Sequence, residues 1–256
     1  MTPESALATI PGFSNARIGI QLADGPTNRT VLLHNFEHKY VLRVDKPLAA
    51  ELGLDRHGEE AVSRMVASAG LAPEVVYYDH ERGISLRSFV PGTNVLESDL
   101  HKPSFLKRLA PVFRKLHDLP NVTADFDPQA AIDRYVDFLD TANARNLAEK
   151  GNDLLRQTRQ VQDRTCLCHN DALNHNILEP EKKIMLIDWE FAGMGDPYFD
   201  LAVIIQHHLL GEKLGGVFLN AYLERKAEPA ELERLWKNCE FYAVLLELWK
   251  LRIADA

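Results

Sequence analysis

The chain has 256 residues, of which 46% are apolar and 26% charged, and its formal net charge is −8. This length allows a large buried core, and the negative charge argues against a general binder of nucleic acid or of anionic membranes. Three cysteines without a C-x-x-C pair favour reduced thiols and a cytoplasmic location. The first residues lack the features of a signal peptide, and no apolar run approaches the roughly 18 residues that span a bilayer.

The first 90 residues are predicted to form mainly strands joined by turns. Strands are predicted at 16–25, 30–35, 39–44, 73–79 and 83–90. The second and third of these are close enough to form a hairpin, and "GPTNR" at 25–29 is a turn signal. Between the hairpin and the last two strands, apolar residues in 57–70 recur at helical spacing, and Gly70 suits a helix end.

The chain becomes mainly helical beyond Pro91 and Gly92, which interrupt the strand pattern. Helices are predicted at 104–119, 128–142 and 151–162, and two or three more close the chain. A strand is predicted in "KKIMLIDWE" at 182–190. The layout predicts an α+β protein with a small β-rich lobe, 1–90, and a larger, mainly helical lobe, 91–256.

A polar motif, H-x-D-x-x-x-x-N, is formed by His169, Asp171 and Asn176. The composition predicts roughly 0.04 chance matches to this triplet, so the surrounding sequence must show whether the match has a function. A turn at "EPEK" and the return strand predict a hairpin that brings Asp188 back beside Asn176. Asn176 and Asp188 then offer oxygen ligands for Mg²⁺, and Asp171 can accept a proton from a hydroxyl, which is the layout of phosphoryl transfer.

Two other interpretations of the motif remain open. His169, Asp171 and His175 could bind a transition metal, which would make the protein a metal-dependent hydrolase. Alternatively, the polar side chains could only cap a turn, as Asn and Asp often do.

The segments "HNDALNHNIL" and "IDWEFAGMGDPYFDLA" resemble those of the choline/ethanolamine kinases and bacterial thiamine kinases, within the aminoglycoside-phosphotransferase-like kinases. The resemblance extends from about residue 25 to about residue 249. It implies the two-lobed protein-kinase-like fold, with a nucleotide-binding lobe in 1–90 and a catalytic and substrate lobe in 91–256. It also implies transfer of the γ-phosphate of ATP, with Mg²⁺, to a small alcohol.

The resemblance assigns roles within the polar motif. It implies that Asp171 is the catalytic base and that Asn176 and Asp188 are the Mg²⁺ ligands. It also implies that His169 supports the catalytic loop and that Asp200 positions it.

The resemblance also assigns the nucleotide site. Gly25, Thr27 and Asn28 match a phosphate-covering loop, and Arg43 matches the basic residue that binds the nucleotide phosphates, where a guanidinium can contact two oxygens at once. Its partner is Glu59 or Glu60, and the apolar phase of the helix favours Glu59. The backbone of Ser88, Phe89 and Val90 matches the segment that binds adenine.

Departures from protein kinases point to a small acceptor. The chain has no G-x-G-x-x-G, H-R-D or A-P-E segment, and little room for an activation loop. Aromatic and acidic residues near the C-terminus favour a cationic alcohol. The candidate substrate-binding residues are Glu190, Asp196, Tyr242 and Trp249, with Tyr198, Trp236 and Glu247 as further candidates. The alternatives for these residues are core packing and, for Asp196 and Asp200, a helix cap.

The sequence therefore predicts an ATP- and Mg²⁺-dependent kinase of a choline- or ethanolamine-type alcohol, with no nucleic-acid or membrane partner. A thiamine kinase, an aminoglycoside or sugar phosphotransferase, and a non-catalytic nucleotide-binding protein are the alternatives.

Overall fold

The computed structural model describes residues 1–254, which divide into two compact units, Met1–Gly92 and the residues from Thr93 onward. The first unit contains, in chain order, α1 (Pro3–Leu7), β1 (Arg17–Asp24), β2 (Asn28–Asn35), β3 (His38–Asp45), α2 (Pro47–Glu51), α3 (Arg56–Ser68), β4 (Val75–Asp79) and β5 (Ile84–Ser88). The five predicted strands and the predicted helix are present. The short helices α1 and α2 were not predicted, because five residues are too few to establish a helical period.

The five strands form one antiparallel sheet in the order β1-β2-β3-β5-β4. Because side chains alternate along a strand, Leu42 and Leu86 lie on the core face of the sheet, together with residues that follow α1. By the same alternation, Arg43, Ser85 and Arg87 lie on the opposite face. The sheet thus has one apolar face and one face that carries buried arginines.

The second unit is mainly helical. It contains α4 (Glu97–Leu100), α5 (Pro103–His117), α6 (Pro128–Leu139), α7 (Ala142–Val161), β6 (Cys166–Cys168), β7 (Ile177–Leu178), β8 (Met185–Leu186), β9 (Gly193–Gly195), α8 (Pro197–His207), α9 (Gly211–Leu223) and α10 (Pro229–Ala254). The three helices α8, α9 and α10 are those predicted to close the chain. Helix α8 is buried almost throughout and packs against α10 and α9. In residues 1–254, no helix combines the length and the apolar character needed to cross a membrane.

Helix α4 and strands β6 and β9 were not predicted from the sequence, and two predicted elements of the second unit have other bounds in the structure. Helix α7 begins at Ala142 rather than at Gly151, because the Oγ1 of Thr141 accepts the backbone N–H of Ala144 as a helix cap. Gly151 is instead a point of close packing inside α7, since a Cβ there would lie 3.1 Å from the side chain of Ile132. The predicted return strand shortens to β8, and Asp188 beyond it has a left-handed φ of 66°.

Gly193 allows the backbone before α6 to lie directly on β9. The N–H of Met194 donates to the carbonyl of Ala124 at 3.0 Å. A Cβ on Gly193 would lie 2.6 Å from the backbone nitrogen of Phe126 and 2.7 Å from the carbonyl carbon of Asp125. These are backbone atoms, so the contact cannot be relieved by rotating a side chain.

We expect Gly193→Ala to lower the free energy of unfolding by about 1–3 kcal/mol, since the added methyl group displaces backbone. The matched control is Gly216→Ala in α9, where nothing lies within 4 Å of the added Cβ. That change should raise stability, by up to about 1 kcal/mol, through helix propensity. Urea denaturation of both variants checks the prediction, and equal stability of the two would contradict it.

Candidate active site

The loop after β6 carries the predicted catalytic residues, and one buried carboxylate fixes its backbone. Strand β6 pairs with β9, so the loop begins directly at the end of this small sheet. The backbone N–H of His169 donates to Asp200 Oδ2 at 2.9 Å, and that of Asn170 donates to Asp200 Oδ1 at 2.6 Å. Asp200 is fully buried in α8, and Nε2 of His117 lies 3.0 Å from its Oδ2. Asp200 therefore holds the start of the loop.

His169 is part of the framework of the loop. Its Nε2 donates to the carbonyl of Ile187 at 3.0 Å, and the backbone N–H of Asp171 donates to its Nδ1 at 3.3 Å. Its ring centroid lies 4.4 Å from that of Trp189. Burial lowers the pKa of His169, which favours the neutral ring that these two contacts require. Since both ring nitrogens are engaged and His175 is exposed, these residues do not form the alternative transition-metal site within the described chain.

Asp171, Asn176 and Asp188 lie at the same end of the hairpin formed by β7 and β8. The Nδ2 of Asn176 donates to the carbonyl oxygen of Asp171 at 2.8 Å and to its Oδ2 at 3.1 Å. Next to the paired strands, the N–H of Ile187 donates to the carbonyl of Asn176 at 2.9 Å. Asp188 follows immediately, so the predicted hairpin does return it towards Asn176.

The electrostatics around Asp171 are those of crowded carboxylates. Burial raises the pKa of Asp171 well above its usual range, and the charges of Asp188 and Glu190 raise it further. The hydrogen bond from Asn176 opposes this shift. A divalent cation would relieve the repulsion, and an amide oxygen with a carboxylate is a donor set that Mg²⁺ prefers. Asn176 and Asp188 therefore fit the predicted metal by their chemistry.

In the first unit, Arg43 of β3 and Glu59 of α3 form a buried bidentate ion pair. Nη1 of Arg43 donates to Oε1 of Glu59 at 2.6 Å, and Nη2 donates to Oε2 at 2.7 Å. Glu60 instead pairs with Arg64 and His80. Of the two glutamates that the sequence left open, Glu59 is the one that contacts Arg43.

Glu59 also accepts hydrogen bonds from three residues that the sequence did not indicate. Arg56 Nη1 donates at 2.6 Å, the hydroxyl of Tyr78 at 2.7 Å and Arg87 Nη2 at 3.5 Å. Burial acts to raise the pKa of Glu59, but the three guanidinium groups outweigh it and hold that pKa well below its usual range. We call Arg43, Arg56, Arg87, Glu59 and Tyr78 the guanidinium cluster. The one available signal was Arg87, a charged residue inside the apolar run "ISLRSF".

The predicted phosphate-covering loop is the turn between β1 and β2. Thr27 and Asn28 are buried, and Asn28 Nδ2 donates to Thr27 Oγ1 at 3.2 Å. Lys46 anchors the turn. Its Nζ donates to the carbonyl of Gly25 at 2.6 Å, and its backbone N–H donates to the carbonyl of Thr27 at 2.8 Å. Lys46 was missed because nothing in the local sequence links it to a turn about twenty residues earlier.

The predicted adenine-binding segment lies at the end of β5, and all three of its residues are half-buried. The N–H of Ser88 donates to the carbonyl of Glu74 at 2.9 Å, and that of Phe89 donates to the carbonyl of Lys39 at 3.0 Å. Two of the three backbone donors are therefore already used within the sheet.

Aromatic residues lie near the carboxylates of the second unit. The ring centroid of Trp249 is 6.2 Å from that of Tyr135 and 6.4 Å from that of Phe191, and we call these three residues the aromatic cluster. Burial raises the pKa of Tyr135 to about 12, and the charge of Asp171 adds to the rise. Burial and Asp171 likewise raise the pKa of Tyr242, whose hydroxyl lies 2.8 Å from Nδ1 of His207. Tyr135 and Phe191 were not predicted, since their spacing resembles that of core residues.

Other candidate substrate residues have partners within the fold. Asp196 caps α8 by accepting the N–H of Tyr198 at 2.9 Å, and it accepts from Arg234 at 2.8 Å. The guanidinium of Arg234 also lies 4.1 Å from the ring centroid of Tyr198. Trp236 packs so closely on Gly215 that a Cβ there would lie 2.5 Å from its ring. Asp196 is therefore a helix cap, and Tyr198 and Trp236 pack against other residues, which are the alternatives that the sequence left open for them.

A model of the phosphotransferase enzyme family matches residues 19–237. The chain belongs to this family. Protein LicA of Haemophilus influenzae is 30% identical over 241 residues, which are 87% of this chain and 88% of that protein. As a member of the family, the chain is a small-molecule kinase, a phosphotransferase that acts on an alcohol group. The alternatives of a hydrolase and of a non-catalytic binder are thereby set aside.

Solved structures share the fold. A choline/ethanolamine kinase family protein from Mesorhizobium loti has a TM-score of 0.79 at 24% identity, over 98% of this chain and 85% of that one. Choline kinase LicA from Streptococcus pneumoniae has a TM-score of 0.80 at 18% identity, over 93% and 86%. The predicted α+β kinase-like fold and the predicted family resemblance are confirmed.

We expect Glu59→Gln to lower the free energy of unfolding by about 3–5 kcal/mol, because it leaves three buried guanidinium groups without their shared carboxylate. The pKa of Glu59 is lower in the folded state than in the unfolded state. The stability that the ionised carboxylate contributes is therefore complete above the unfolded-state pKa, and it is lost as the pH falls towards the folded-state pKa. The difference between the wild type and the variant should therefore narrow in acid. Urea denaturation from pH 7 to pH 3 measures it.

The matched control is Glu60→Gln. Glu60 is the next residue in the sequence, and it pairs with Arg64 and His80 on the half-exposed side of α3. It should cost less than about 1 kcal/mol. Equal losses in the two variants would show that the guanidinium cluster does not depend on Glu59.

We expect Asp171→Asn to raise the melting temperature of the ligand-free protein at pH 7–8. The folded-state pKa of Asp171 lies above the unfolded-state value, so the stability that its proton confers is present at low pH and is lost as the pH rises through the folded-state pKa. The gain should shrink as the pH falls towards 4, and each kcal/mol corresponds to roughly 2–4 °C. Calorimetry across this range, with the exposed Asp137→Asn as control, measures it. A gain that is absent or independent of pH would contradict the prediction.

Proposed function

We propose that the chain transfers the γ-phosphate of Mg²⁺-ATP to the hydroxyl of a small cationic alcohol of the choline or ethanolamine type. The observation that carries the proposal is that Asp171 lies among two further carboxylates, Asp188 and Glu190, and close to aromatic rings. Carboxylates attract a cation, and ring faces stabilise an ammonium group through the π-electrons. The names of the choline kinases among its structural relatives support the same acceptor.

The acceptor alcohol would bind with its ammonium group against the aromatic cluster and its hydroxyl at Asp171. Trp249, Tyr135 and Phe191 supply ring faces, while Tyr242 and Glu190 lie within electrostatic reach of Asp171. Of the four predicted substrate residues, Asp196 has the weakest support, since its carboxylate already caps α8 and binds Arg234.

Asp171 acts as the base in this proposal. Its raised pKa makes the carboxylate a better proton acceptor near neutral pH than an ordinary aspartate, and Asn176 orients its Oδ2. The hydroxyl oxygen attacks the γ-phosphorus, the bond to the ADP oxygen breaks, and the hydroxyl proton moves to Asp171. Asn176 and Asp188 would hold Mg²⁺, which when bound neutralises charge on the phosphates.

The guanidinium cluster supports binding of the nucleotide phosphates. Arg43, Arg56 and Arg87 bring three guanidinium groups together around Glu59, and guanidinium groups bind phosphate oxygens through charge-assisted hydrogen bonds. We assign the phosphate contact to Arg43, held by Glu59, and to the turn of Gly25, Thr27 and Asn28.

The adenine contact would come from the end of β5. Because the N–H groups of Ser88 and Phe89 donate within the sheet, Val90 is the residue of the three whose backbone N–H would donate to adenine. Use of ATP and the three free cysteines agree with a cytoplasmic location.

We expect ADP release from Mg²⁺-ATP to be stimulated by choline or ethanolamine, and less by thiamine, a sugar or an aminoglycoside. Asp171→Asn should lower kcat by about 100-fold or more while the protein stays folded, because it removes the proton acceptor. A coupled assay for ADP with this panel makes the measurement. Stimulation by thiamine or by an aminoglycoside alone would replace the proposed acceptor class.

Substitutions in the aromatic cluster test whether the cationic group of the acceptor binds there. Trp249→Ala should raise KM for choline about 10-fold or more, and Trp249→Phe, which keeps a ring face, should raise it less. KM for ATP should not change in either variant. Equal effects of the two substitutions would assign Trp249 to packing alone.

A further inference from the structure

Tyr242 lies on the face of α10 that also carries Trp249. The two residues are seven positions apart, which corresponds to two turns of a helix, so their side chains leave α10 on the same side. Burial raises the pKa values of Tyr242 and Tyr135, and the charge of Asp171 adds to both shifts. Tyr135 in turn contacts Trp249. Tyr242 therefore belongs to the wall of the proposed acceptor site, and its orientation affects how the alcohol fits.

The side chain of Tyr242 is held at its hydroxyl by His207, the last residue of α8. The Nδ1 of His207 lies 2.8 Å from this hydroxyl, and the two ring centroids are 6.2 Å apart. Phe199, in the first turn of α8, packs edge-on against the Tyr242 ring with centroids 6.0 Å apart. Helix α8 thus contacts both the ring and the hydroxyl of Tyr242.

Helix α8 gives this contact a rigid support. It is buried almost throughout, and its Asp200 accepts the backbone N–H groups of His169 and Asn170 at the start of the catalytic loop. His207 follows Asp200 by seven positions, so the two residues lie on the same side of α8. One side of one helix therefore places both the loop that carries the base and the side chain of Tyr242.

The charge of His207 suits a neighbouring cation. Burial lowers the pKa of His207, and the charges of His175 and Lys250 lower it further, while Glu97 opposes the shift. A lowered pKa favours the neutral ring. A neutral imidazole can provide the hydrogen-bonding partner that the Tyr242 hydroxyl needs without adding a charge that would repel an ammonium group.

We propose that His207 is a positioning residue for the acceptor alcohol, which holds the Tyr242 side chain by its hydroxyl in the orientation that the cationic alcohol requires. The inference rests on the proposed function and adds to it a residue that determines the affinity for the acceptor. His207 acts through Tyr242 and not on the reacting atoms. Its loss therefore affects KM for the alcohol rather than kcat or KM for ATP.

The test is the steady-state kinetics of His207→Leu with Mg²⁺-ATP and choline. KM for choline should rise about 5-fold or more, which corresponds to the loss of one hydrogen bond. The values of kcat and of KM for ATP should stay within about 2-fold of the wild type, because the residues around the phosphate are unchanged. In His207→Asn, a side-chain amide can take the place of Nδ1, so KM for choline should return to within about 2-fold of the wild type. A merely structural role would lower the folded fraction or kcat and leave KM for choline unchanged.

The matched control is His208→Gln, because His208 is the next residue and its Nδ1 lies 3.8 Å from Glu97. This variant should keep the wild-type KM for choline. Tyr242→Phe lacks the hydroxyl, so adding His207→Leu to it should raise KM no further. An unchanged KM in His207→Leu, or effects that multiply in the double variant, would overturn the inference and leave the proposed function intact.

The choice of alcohol is tested separately from His207. If thiamine or an aminoglycoside stimulates ADP release by the wild type in place of choline, the proposed acceptor class fails. The same comparison of His207→Leu with the wild type, made with that alcohol, then decides the role of His207. Stimulation by a sugar alone, or by no alcohol, would overturn both the proposed acceptor and the inference.

Discussion

A single buried carboxylate, that of Asp200, is the constraint on which the catalytic loop depends. The two oxygens of Asp200 accept hydrogen bonds from the backbone N–H groups of His169 and Asn170. His117 contacts Asp200 through one ring nitrogen, and its other ring nitrogen lies 2.9 Å from the hydroxyl of Tyr222. A fully buried charge is tolerated only when its lone pairs are satisfied, so the loop backbone and the carboxylate stabilise one another. Helix α8 supplies Asp200 from its first turn, where an acidic residue is favoured by the helix dipole.

The two units carry clusters of charged groups that differ in kind. In the first, the guanidinium groups of Arg43, Arg56 and Arg87 surround the buried carboxylate of Glu59. In the second, Asp171, Asp188 and Glu190 repel one another. Guanidinium groups bind phosphate oxygens, so the first cluster suits phosphate, and repelling carboxylates are stabilised by a cation, so the second suits a metal ion or an ammonium group. This division agrees with a kinase that combines a nucleotide with a cationic alcohol.

How far the sequence predicts the site depends on the separation of the residues involved. His169, Asp171 and Asn176 lie within eight positions, and one hairpin adds Asp188, so local pattern was sufficient. Glu59 followed from the phase of α3. The contacts of Tyr78 and Arg87 with Glu59, and of Tyr135 with Trp249, join residues far apart in the chain. No local period indicates such pairs, because each side chain could equally fill a core. The predicted start of α7 at Gly151 was wrong for a related reason. Gly151 allows close packing between helices, but in the sequence alone a glycine there looks like the boundary of a helix.

The most direct measurement is the ³¹P NMR spectrum of the full chain incubated with Mg²⁺-ATP and choline, which identifies the atom that receives the phosphate. The wild type should convert the γ-phosphate signal into that of a choline phosphomonoester, and Asp171→Asn should leave ATP intact. Conversion of ATP to inorganic phosphate alone, or a phosphomonoester formed at the wild-type rate by Asp171→Asn, would contradict the assignment of this loop as the centre of alcohol phosphorylation.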